Sequence, residues 1–416
     1  MKRYSEISFS TIEEKWNSST NPIGVYIHSP FCPSICKFCI YAGTIQKHNS
    51  EYTEYFEQYL PEAIELYSHI LSKKYNLIKN WFFGGGTPSL MLPNTLRDIL
   101  NSLPKFKTSK GFKTFEIHPA YWTTGLLDVL QEFNFDVAVI CLQTYDRKTL
   151  ISQNRVPAKS DDITNLAIEL RARNIKVFID VIAFLNQEDD DENILKNDLE
   201  IIYNSITPDE ISIQTVYQNK NYTKQTIDCV LNSQFVSSND YKIQFGSEFL
   251  SMDKINYLEL CESNWTRKCF RLVKYSSSKS FIGKINNLFM FMDPQHQSRT
   301  NKHDTLAIGS YKNKSTQSHS NISSFNYIET NVDNIAPKFY FVKNSFFDEI
   351  QIILDIMKEL GEPEGGFELK LTNEFYCINE SPIILKHQFY GSDTQYVDNL
   401  QNRLDDYCSI ITNCIK

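Results

Sequence analysis

The sequence YIHSPFCPSICKFC, residues 26–39, contains a short apolar run that is followed at once by three cysteines. The run at residues 24–28 predicts a β-strand. Cys32, Cys36 and Cys39 therefore fall on the loop that leaves the carboxyl end of this strand. In barrels built of βα units, such loops form the face that carries the chemistry. The sequence thus predicts a functional loop in the first βα unit.

The spacing of these cysteines favours a 4Fe-4S cluster as their ligand. Cysteine thiolates hold iron-sulfur clusters, and three closely spaced cysteines can bind three irons of a cubane while the fourth iron stays open. A structural zinc site is one alternative, but it normally closes with four ligands in two separated pairs, and no second pair lies nearby. Inert buried thiols are the other alternative.

After this loop, β-branched and aromatic runs alternate with segments of helical period up to about residue 217. This alternation is typical of βα units with a parallel sheet. Six strands are predicted, at residues 24–28, 78–83, 114–118, 136–144, 175–184 and 210–217. Six units are too few for a closed eight-stranded barrel. The expected fold is α/β, a partial (β/α)6 TIM-like barrel. Pro61 is expected to kink the helix that follows the cysteine loop.

The regular alternation ends after Tyr217, which divides the chain into three parts. We expect an N-terminal extension at residues 1–20, the barrel at 21–225, and a smaller α+β domain at 226–416 that covers the substrate. Within this last part the pattern predicts a hairpin at 279–292 and apolar helices at 346–360 and about 395–411.

Polar groups and glycines follow the other predicted strands. Gly85 and Gly86, with Thr87, come directly after the second strand, where backbone without side chains lets a ligand approach closely. Glu116 stands at the end of the third strand, and a buried carboxylate there needs a polar partner. Each feature alone is weak, because a tight turn or a satisfied polar residue explains it equally well.

Composition narrows the class of protein. The net charge is -8 and Lys and Arg are scattered, so the basic footprint of a nucleic-acid binder is missing, and no nucleic-acid partner is expected. The N-terminus has no apolar run that could form a signal peptide, and no stretch is long and apolar enough for a membrane span. Ten cysteines without an export signal predict a cytoplasmic protein with reduced thiols.

Three motifs together resemble the radical S-adenosylmethionine (SAM) superfamily, in the branch of oxygen-independent coproporphyrinogen III oxidases, heme chaperones and class C radical methyltransferases. They are the CxxxCxxC signature at Cys32, FFGGGTPS at 82–89 and LQTYD at 142–146. The resemblance implies that the three cysteines hold a 4Fe-4S cluster and that S-adenosyl-L-methionine is cleaved there reductively. It also implies a reducing electron donor such as flavodoxin or ferredoxin.

The resemblance further implies the contacts of one or two SAM molecules. The residues matching contacts to the cluster-bound molecule are Tyr26, Gly85 and Glu116. Those matching contacts to a second molecule are Phe38, Gly86, Thr87, Gln143, Arg155 and Asp180. Arginine can pair with a carboxylate, aspartate can accept from ribose hydroxyls, and glutamine can do either.

Two departures bear on the reaction. Porphyrinogen oxidases have a further cysteine where this chain has Tyr41, and the HNxxYW motif of heme chaperones is absent before LAIGSY at 306–311. We therefore expect radical modification of a small or peptide-derived substrate, with class C-type methyl transfer by a second SAM as one route. A heme-binding chaperone, a coproporphyrinogen oxidase-like oxidoreductase and aminocarboxypropyl transfer remain as alternatives.

Overall fold

The computed structural model describes residues 4–39, 44–46, 48–186, 191–215, 220–238, 240–245, 248–250, 269–274, 304–309, 319–322, 325–330, 338–342, 369–372, 375–378 and 381–385. Its strands are β1 (Tyr4–Ile7), β2 (Ile23–Ser29), β3 (Phe31–Cys32), β4 (Thr44–Ile45), β5 (Ile78–Gly85), β6 (Phe112–Ile117), β7 (Val137–Gln143), β8 (Lys176–Ala183), β9 (Glu210–Thr215), β10 (Tyr241–Phe245), β11 (Glu248–Leu250), β12 (Cys269–Lys274), β13 (Asp304–Ile308), β14 (His319–Ile322), β15 (Phe325–Thr330), β16 (Lys338–Val342), β17 (Leu369–Thr372), β18 (Phe375–Ile378) and β19 (Ser381–Leu385).

The α-helices of the described part are α1 (Phe9–Ser18), α2 (Asn49–Tyr52), α3 (Leu60–Lys73), α4 (Pro93–Ser102), α5 (Thr124–Glu132), α6 (Arg147–Ser152), α7 (Ser160–Ala172), α8 (Asp191–Ser205), α9 (Lys220–Leu231) and α10 (Gln234–Ser237). A π-helix spans Thr53–Tyr59, and short 3-10 helices span Tyr75–Leu77, Pro88–Leu90 and Phe106–Thr108.

Seven parallel strands form the centre of one large sheet, in the order β13-β2-β5-β6-β7-β8-β9. This confirms the predicted α/β, TIM-like fold, and six of the seven are the strands predicted from the sequence. The seventh, β13, corrects the predicted count of six. It pairs in parallel with β2, from Asp304 opposite Ile23 to Ile308 opposite Ile27.

The two faces of the parallel strands pack differently. Outward side chains such as Val25, Phe83 and Ile140 join the helices in the main core cluster. A separate cluster on the inner face holds residues of strands alone, namely Tyr26, Phe82, Phe112, Val137, Val139 and Phe178. These side chains fill the interior below the strand ends, so room for a ligand lies at the carboxyl ends of the strands.

Antiparallel strands continue the sheet on both sides, and several come from beyond residue 225. On one side β12, β10 and β11 follow β9, and on the other β14, β15, β16 and β1 follow β13. The N-terminal extension joins this sheet: Trp16 is fully buried and its Nε1 donates to the hydroxyl of Tyr327, at 3.1 Å. The division at 20 and 225 stays a prediction. β17, β18 and β19 form a separate sheet.

Three predicted elements of the C-terminal part, the hairpin at 279–292 and the helices at 346–360 and 395–411, lie outside the described residues. The helix containing Pro61 is described, and it is interrupted before the proline rather than at it. The π-helix at Thr53–Tyr59 leads into α3, in whose first turn Pro61 lies. The first turn tolerates proline because its N–H groups have no partner within the helix.

Candidate functional site

The cysteine loop is anchored where β2 ends. Phe31 is fully buried and packs edge-on against Tyr55 and Phe56, with ring centroids 5.9 and 5.6 Å apart. Phe31 and Cys32 form β3, which pairs with β4. Cys36 is buried, whereas Cys32 and Cys39 are half-buried. The packing of Phe31 thus fixes where the loop of thiols begins.

The segment after α6 clamps the other end of this loop. The carbonyl of Gln153 accepts from the N–H of Lys37, at 3.0 Å, and the side-chain amide of Asn154 donates to the carbonyl of Ile35, at 2.8 Å. Arg155 reaches between the loop and β7: its Nη1 lies 3.7 Å from Cys36 Sγ, and its Nη2 donates to the carbonyl of Cys141. The structure therefore brings Arg155 directly to one of the three cysteines predicted to bind the cluster.

The thiols of the loop fit a positively charged iron centre. Burial, and then the negative charges on Cys39 and Cys36, raise the pKa of Cys32 to about 12, against a hydrogen bond from Thr87 and the charge of Arg155. Three thiolates here need a cation to stabilise them. Among the described residues, no three His, Cys, Asp or Glu side chains surround one ion position. A single zinc ion needs that arrangement, whereas the cysteines of a cubane each bind a different iron.

The glycine run allows this loop and the end of β5 to approach each other closely. Gly85 has φ +112, and a Cβ there would overlap the ring of His28. A Cβ on Gly86 would lie 2.9 Å from Cys32 Sγ, and its N–H donates to the carbonyl of Ser29 at 2.6 Å. Both positions require glycine, for backbone conformation in one case and for space in both.

A polar layer lies above the apolar cluster of the inner face. Glu116 is half-buried, and its Oε2 accepts from the N–H of Gly85, at 3.2 Å. Burial, and then the charge of Asp180, raise the pKa of Glu116 to about 8. Burial raises the pKa of Cys141 well above its usual range, with further contributions from Glu116 and Asp180. Glu116, Asp180 and Cys141 thus share one site, whose charge a cationic group would offset.

His28 is a buried neutral imidazole beside this layer. Burial lowers its pKa to about 3. Its Nδ1 lies 3.1 Å from the hydroxyl of Tyr26, while its Nε2 has no hydrogen-bond partner in the described structure. Sequence reasoning did not assign His28 or Cys141 to the site. The two-residue alternation from Tyr26 to His28, and from Val137 through Val139 to Cys141, is the signal that places them on the inner face.

The remaining predicted residues differ in their contacts. Gln143 ends β7 with φ +71, is buried, and leaves its Oε1 without a partner, which is consistent with a ligand contact. Phe38 is half-buried within the cysteine loop. His118 is held locally: its Nδ1 accepts from the N–H of Ala120, at 3.2 Å, and burial lowers its pKa to about 2. The assignment of these residues to one or two SAM molecules stays a prediction.

A protein-family model matches the part of the chain that forms this site. The family model of the radical SAM superfamily matches residues 26–197, which contain the cysteine loop and the polar layer. This segment of the chain is similar to the radical SAM superfamily. The superfamily uses a 4Fe-4S cluster and S-adenosylmethionine, the cofactors predicted from the motifs.

Two similar proteins are of the kinds that the predicted branch contains. An oxygen-independent coproporphyrinogen III oxidase of Pseudomonas aeruginosa is 29% identical over 201 residues, 46% of this chain and 42% of the relative. The heme chaperone HemW of Buchnera aphidicola subsp. Acyrthosiphon pisum is 29% identical over 164 residues, 38% of this chain and 42% of the relative. The chain therefore aligns with less than half the length of these relatives. Both support the predicted branch.

The coproporphyrinogen III oxidase HemN of Escherichia coli shows the same fold, with a TM-score of 0.58 at 14% identity, over 84% of this chain and 79% of that one. In the described part of the chain, every helix is too short or too polar to cross a bilayer.

Proposed function

We propose that this chain is a radical SAM enzyme that starts radical modification of a small or peptide-derived substrate. The observation that carries the proposal is the meeting of three cysteine thiols with Arg155 and the half-buried carboxyl groups of Glu116 and Asp180 at one end of a parallel barrel. Thiolates suit iron, and buried polar groups suit the zwitterionic and ribose parts of SAM.

Each part of the site has a proposed role. Cys32, Cys36 and Cys39 would bind three irons of a 4Fe-4S cluster. When bound, the cluster would supply the electron that cleaves SAM to a 5'-deoxyadenosyl radical and methionine. Glu116, which already accepts from the N–H of Gly85, would also accept from the cationic amino group of SAM. Gln143, Arg155 and Asp180 would bind the carboxylate and ribose oxygens.

The chain also limits the access of water to the site. Aromatic residues of the inner face, among them Tyr26 stacked on Phe82 with centroids 5.8 Å apart, close the barrel from below. A ligand therefore enters at the strand ends, and a radical formed there is shielded on one side. In this proposal residues 226–416 supply the substrate-covering part.

Two other functions have specific support. Similarity to the heme chaperone HemW favours a heme-binding chaperone, and similarity to coproporphyrinogen III oxidase favours a related oxidation. Tyr41, at the position of the oxidases' further cysteine, argues against the oxidation, and the missing HNxxYW motif argues against the chaperone. Radical modification, with methyl transfer as one route, is therefore the preferred function.

Anaerobic reconstitution with iron and sulfide, followed by dithionite and SAM, tests the proposal through its products. We expect 5'-deoxyadenosine; S-adenosylhomocysteine in addition would show methyl transfer with a second SAM. Methylthioadenosine would instead show aminocarboxypropyl transfer. Tight heme binding without any cleavage of SAM would contradict the proposal and support the chaperone.

A further inference from the structure

We propose that the surface formed by α6 and the cysteine loop is the docking site of an acidic one-electron carrier protein. This surface, which we call the α6 face, comprises Lys37, Arg147, Lys148 and Ile151. The inference rests on the proposed function, because only a cluster that must be reduced gives an electron carrier a reason to bind here.

The α6 face lies beside the cysteine loop. The segment that directly follows α6 holds the cysteine loop by two hydrogen bonds, from Lys37 N–H to Gln153 and from Asn154 to Ile35. Arg155, next along the chain, contacts Cys36. A protein seated on the α6 face would therefore lie beside the loop that carries the three thiols, and a short path favours electron transfer.

Charge is the second argument. The side chains of Lys37, Arg147 and Lys148 are exposed, although the chain as a whole carries a net charge of -8. The neighbouring acidic groups of the described structure turn inward: Asp146 accepts from the N–H of Thr149 at 2.7 Å, and the buried Asp191 accepts from the N–H of Asn186 at 3.0 Å. Residues 187–190 lie outside the described part. Among the described residues, the α6 face is thus a local positive patch that would steer an acidic partner.

An exposed apolar residue is the third argument. Ile151 is 57% exposed, one of four large hydrophobic residues that stand out in this way among the described residues. It lies three and four positions after Lys148 and Arg147, so all three share one side of the helix. A small apolar centre with a charged rim is typical of weak, transient electron-transfer contacts.

The occupant follows from this chemistry. Three cations beside one isoleucine form a patch too small to hold a nucleic-acid backbone firmly, since such binding needs many phosphate contacts. A membrane would require a larger apolar face. An acidic carrier fits both the size and the charge, and it delivers what the neighbouring site consumes, one electron for each cleavage of SAM.

The test compares two reductants on the reconstituted full-length protein. Arg147→Glu/Lys148→Glu reverses the charge of the face, and acidic residues in the first turn of a helix do not weaken it, so the variant is expected to fold. With reduced flavodoxin as the probe, the KM for flavodoxin should rise about tenfold or more at low salt. With dithionite, which needs no docking, the rate of 5'-deoxyadenosine formation should stay unchanged. Flavodoxin binding measured by calorimetry should weaken in parallel.

A matched control is Lys79→Glu/Lys110→Glu, which changes the net charge equally and affects exposed lysines at the start of β5 and just before β6, at the opposite ends of the parallel strands. It should leave the KM for flavodoxin unchanged. An equal effect in both pairs, or an unchanged KM in the α6 pair, would overturn the docking site alone. Failure of dithionite to support cleavage by the unaltered protein would overturn the proposed function, and the docking site with it.

Discussion

At the scale of single residues, the three cysteines depend on neighbours that are remote in sequence. Cys36 is contacted by Arg155, and Cys32 receives a hydrogen bond from Thr87 on the loop after β5. Thr87 and the charge of Arg155 both lower the pKa of Cys32, against the burial that raises it. The site is therefore suited to thiolates that bind a cation.

Replacement of one ligand should abolish cluster binding without unfolding the protein. Cys36→Ala leaves two thiols in the loop, too few to hold a cubane with one open iron. We expect iron and sulfide contents near background after anaerobic reconstitution. Cys229→Ala, which removes a buried thiol on α9, is the matched control and should retain the cluster. A full complement of iron in Cys36→Ala would contradict the assignment.

Glu116 should make the stability of the cluster-free protein depend on pH. Its folded pKa of about 8 lies above the unfolded value of 4.5, so the folded state binds the extra proton between these values. The contribution is fully present below about pH 4.5 and is lost as the pH rises through about 8. The free energy of unfolding from urea titration should therefore be lower at pH 8 than at pH 5, and Glu116→Gln should make this difference smaller. If the exposed-site variant Glu57→Gln reduces it equally, the cause is not the burial of Glu116.

The sequence predicted the cysteine ligands because their spacing is local and specific. It did not single out His28 or Cys141, since inward orientation depends on which face of the sheet carries helices. The register shift between Ile140 and Gln143 also interrupts simple alternation at the end of β7. Contacts such as Arg155 to Cys36 join residues 119 positions apart, which spacing alone cannot reveal.

At the scale of elements, the tie between β2 and β13 completes the parallel sheet. The hydroxyl of Tyr55, on the π-helix, lies 2.7 Å from the carbonyl of His28 and 2.9 Å from that of Gly309, the residue that follows β13. One buried side chain thus serves the ends of two neighbouring strands. The sequence pattern did not assign β13 to the barrel. Tyr55 holds it there, from a segment that the sequence predicts to be an ordinary helix.

Tyr55→Phe should destabilise the fold measurably. It keeps the ring packing but leaves two buried carbonyl groups without this donor, a loss of about 1–3 kcal/mol. The free energy of unfolding from urea titration should fall by this amount. Tyr75→Phe, which removes a more exposed hydroxyl that donates to Thr108, is the control and should have a smaller effect. Equal losses in both variants would argue against the tie.

The strands themselves were predictable because buried parallel strands are continuous apolar runs between helices. Their observed bounds differ from the predicted ones by at most two residues. β13 escaped assignment because its sequence gives a strand but not its partner, and its partner β2 lies nearly 280 residues earlier. Pro61 was predicted to kink its helix, whereas its place in the first turn of α3 depends on the preceding π-helix.

At the scale of the whole molecule, the sheet crosses the predicted domain boundary. It includes β1 at one edge and strands from beyond residue 225 on both sides, and β13 lies between the parallel strands and the antiparallel strands that end in β1. The sheet therefore extends beyond residues 21–225, although the residues predicted to bind the cofactors all lie within them.

A truncated chain of residues 21–225 should therefore fail to fold cooperatively. It lacks β13, which covers the edge of β2, and the buried Trp16. Residues 1–345 keep all fourteen strands of the large sheet and serve as the comparison. Urea unfolding followed by near-ultraviolet circular dichroism should give a sharp transition for the longer chain alone. A cooperative transition for residues 21–225 would show that the barrel is an independent domain.

The central claim is that three cysteines hold a 4Fe-4S cluster whose open iron binds SAM. Electron paramagnetic resonance of the reconstituted, reduced protein tests it most directly, because the spectrum responds to the ligands of the cluster. We predict the signal of a reduced 4Fe-4S cluster and a clear change in that signal on addition of SAM. Absence of the signal, or a signal that SAM leaves unchanged, would contradict the account.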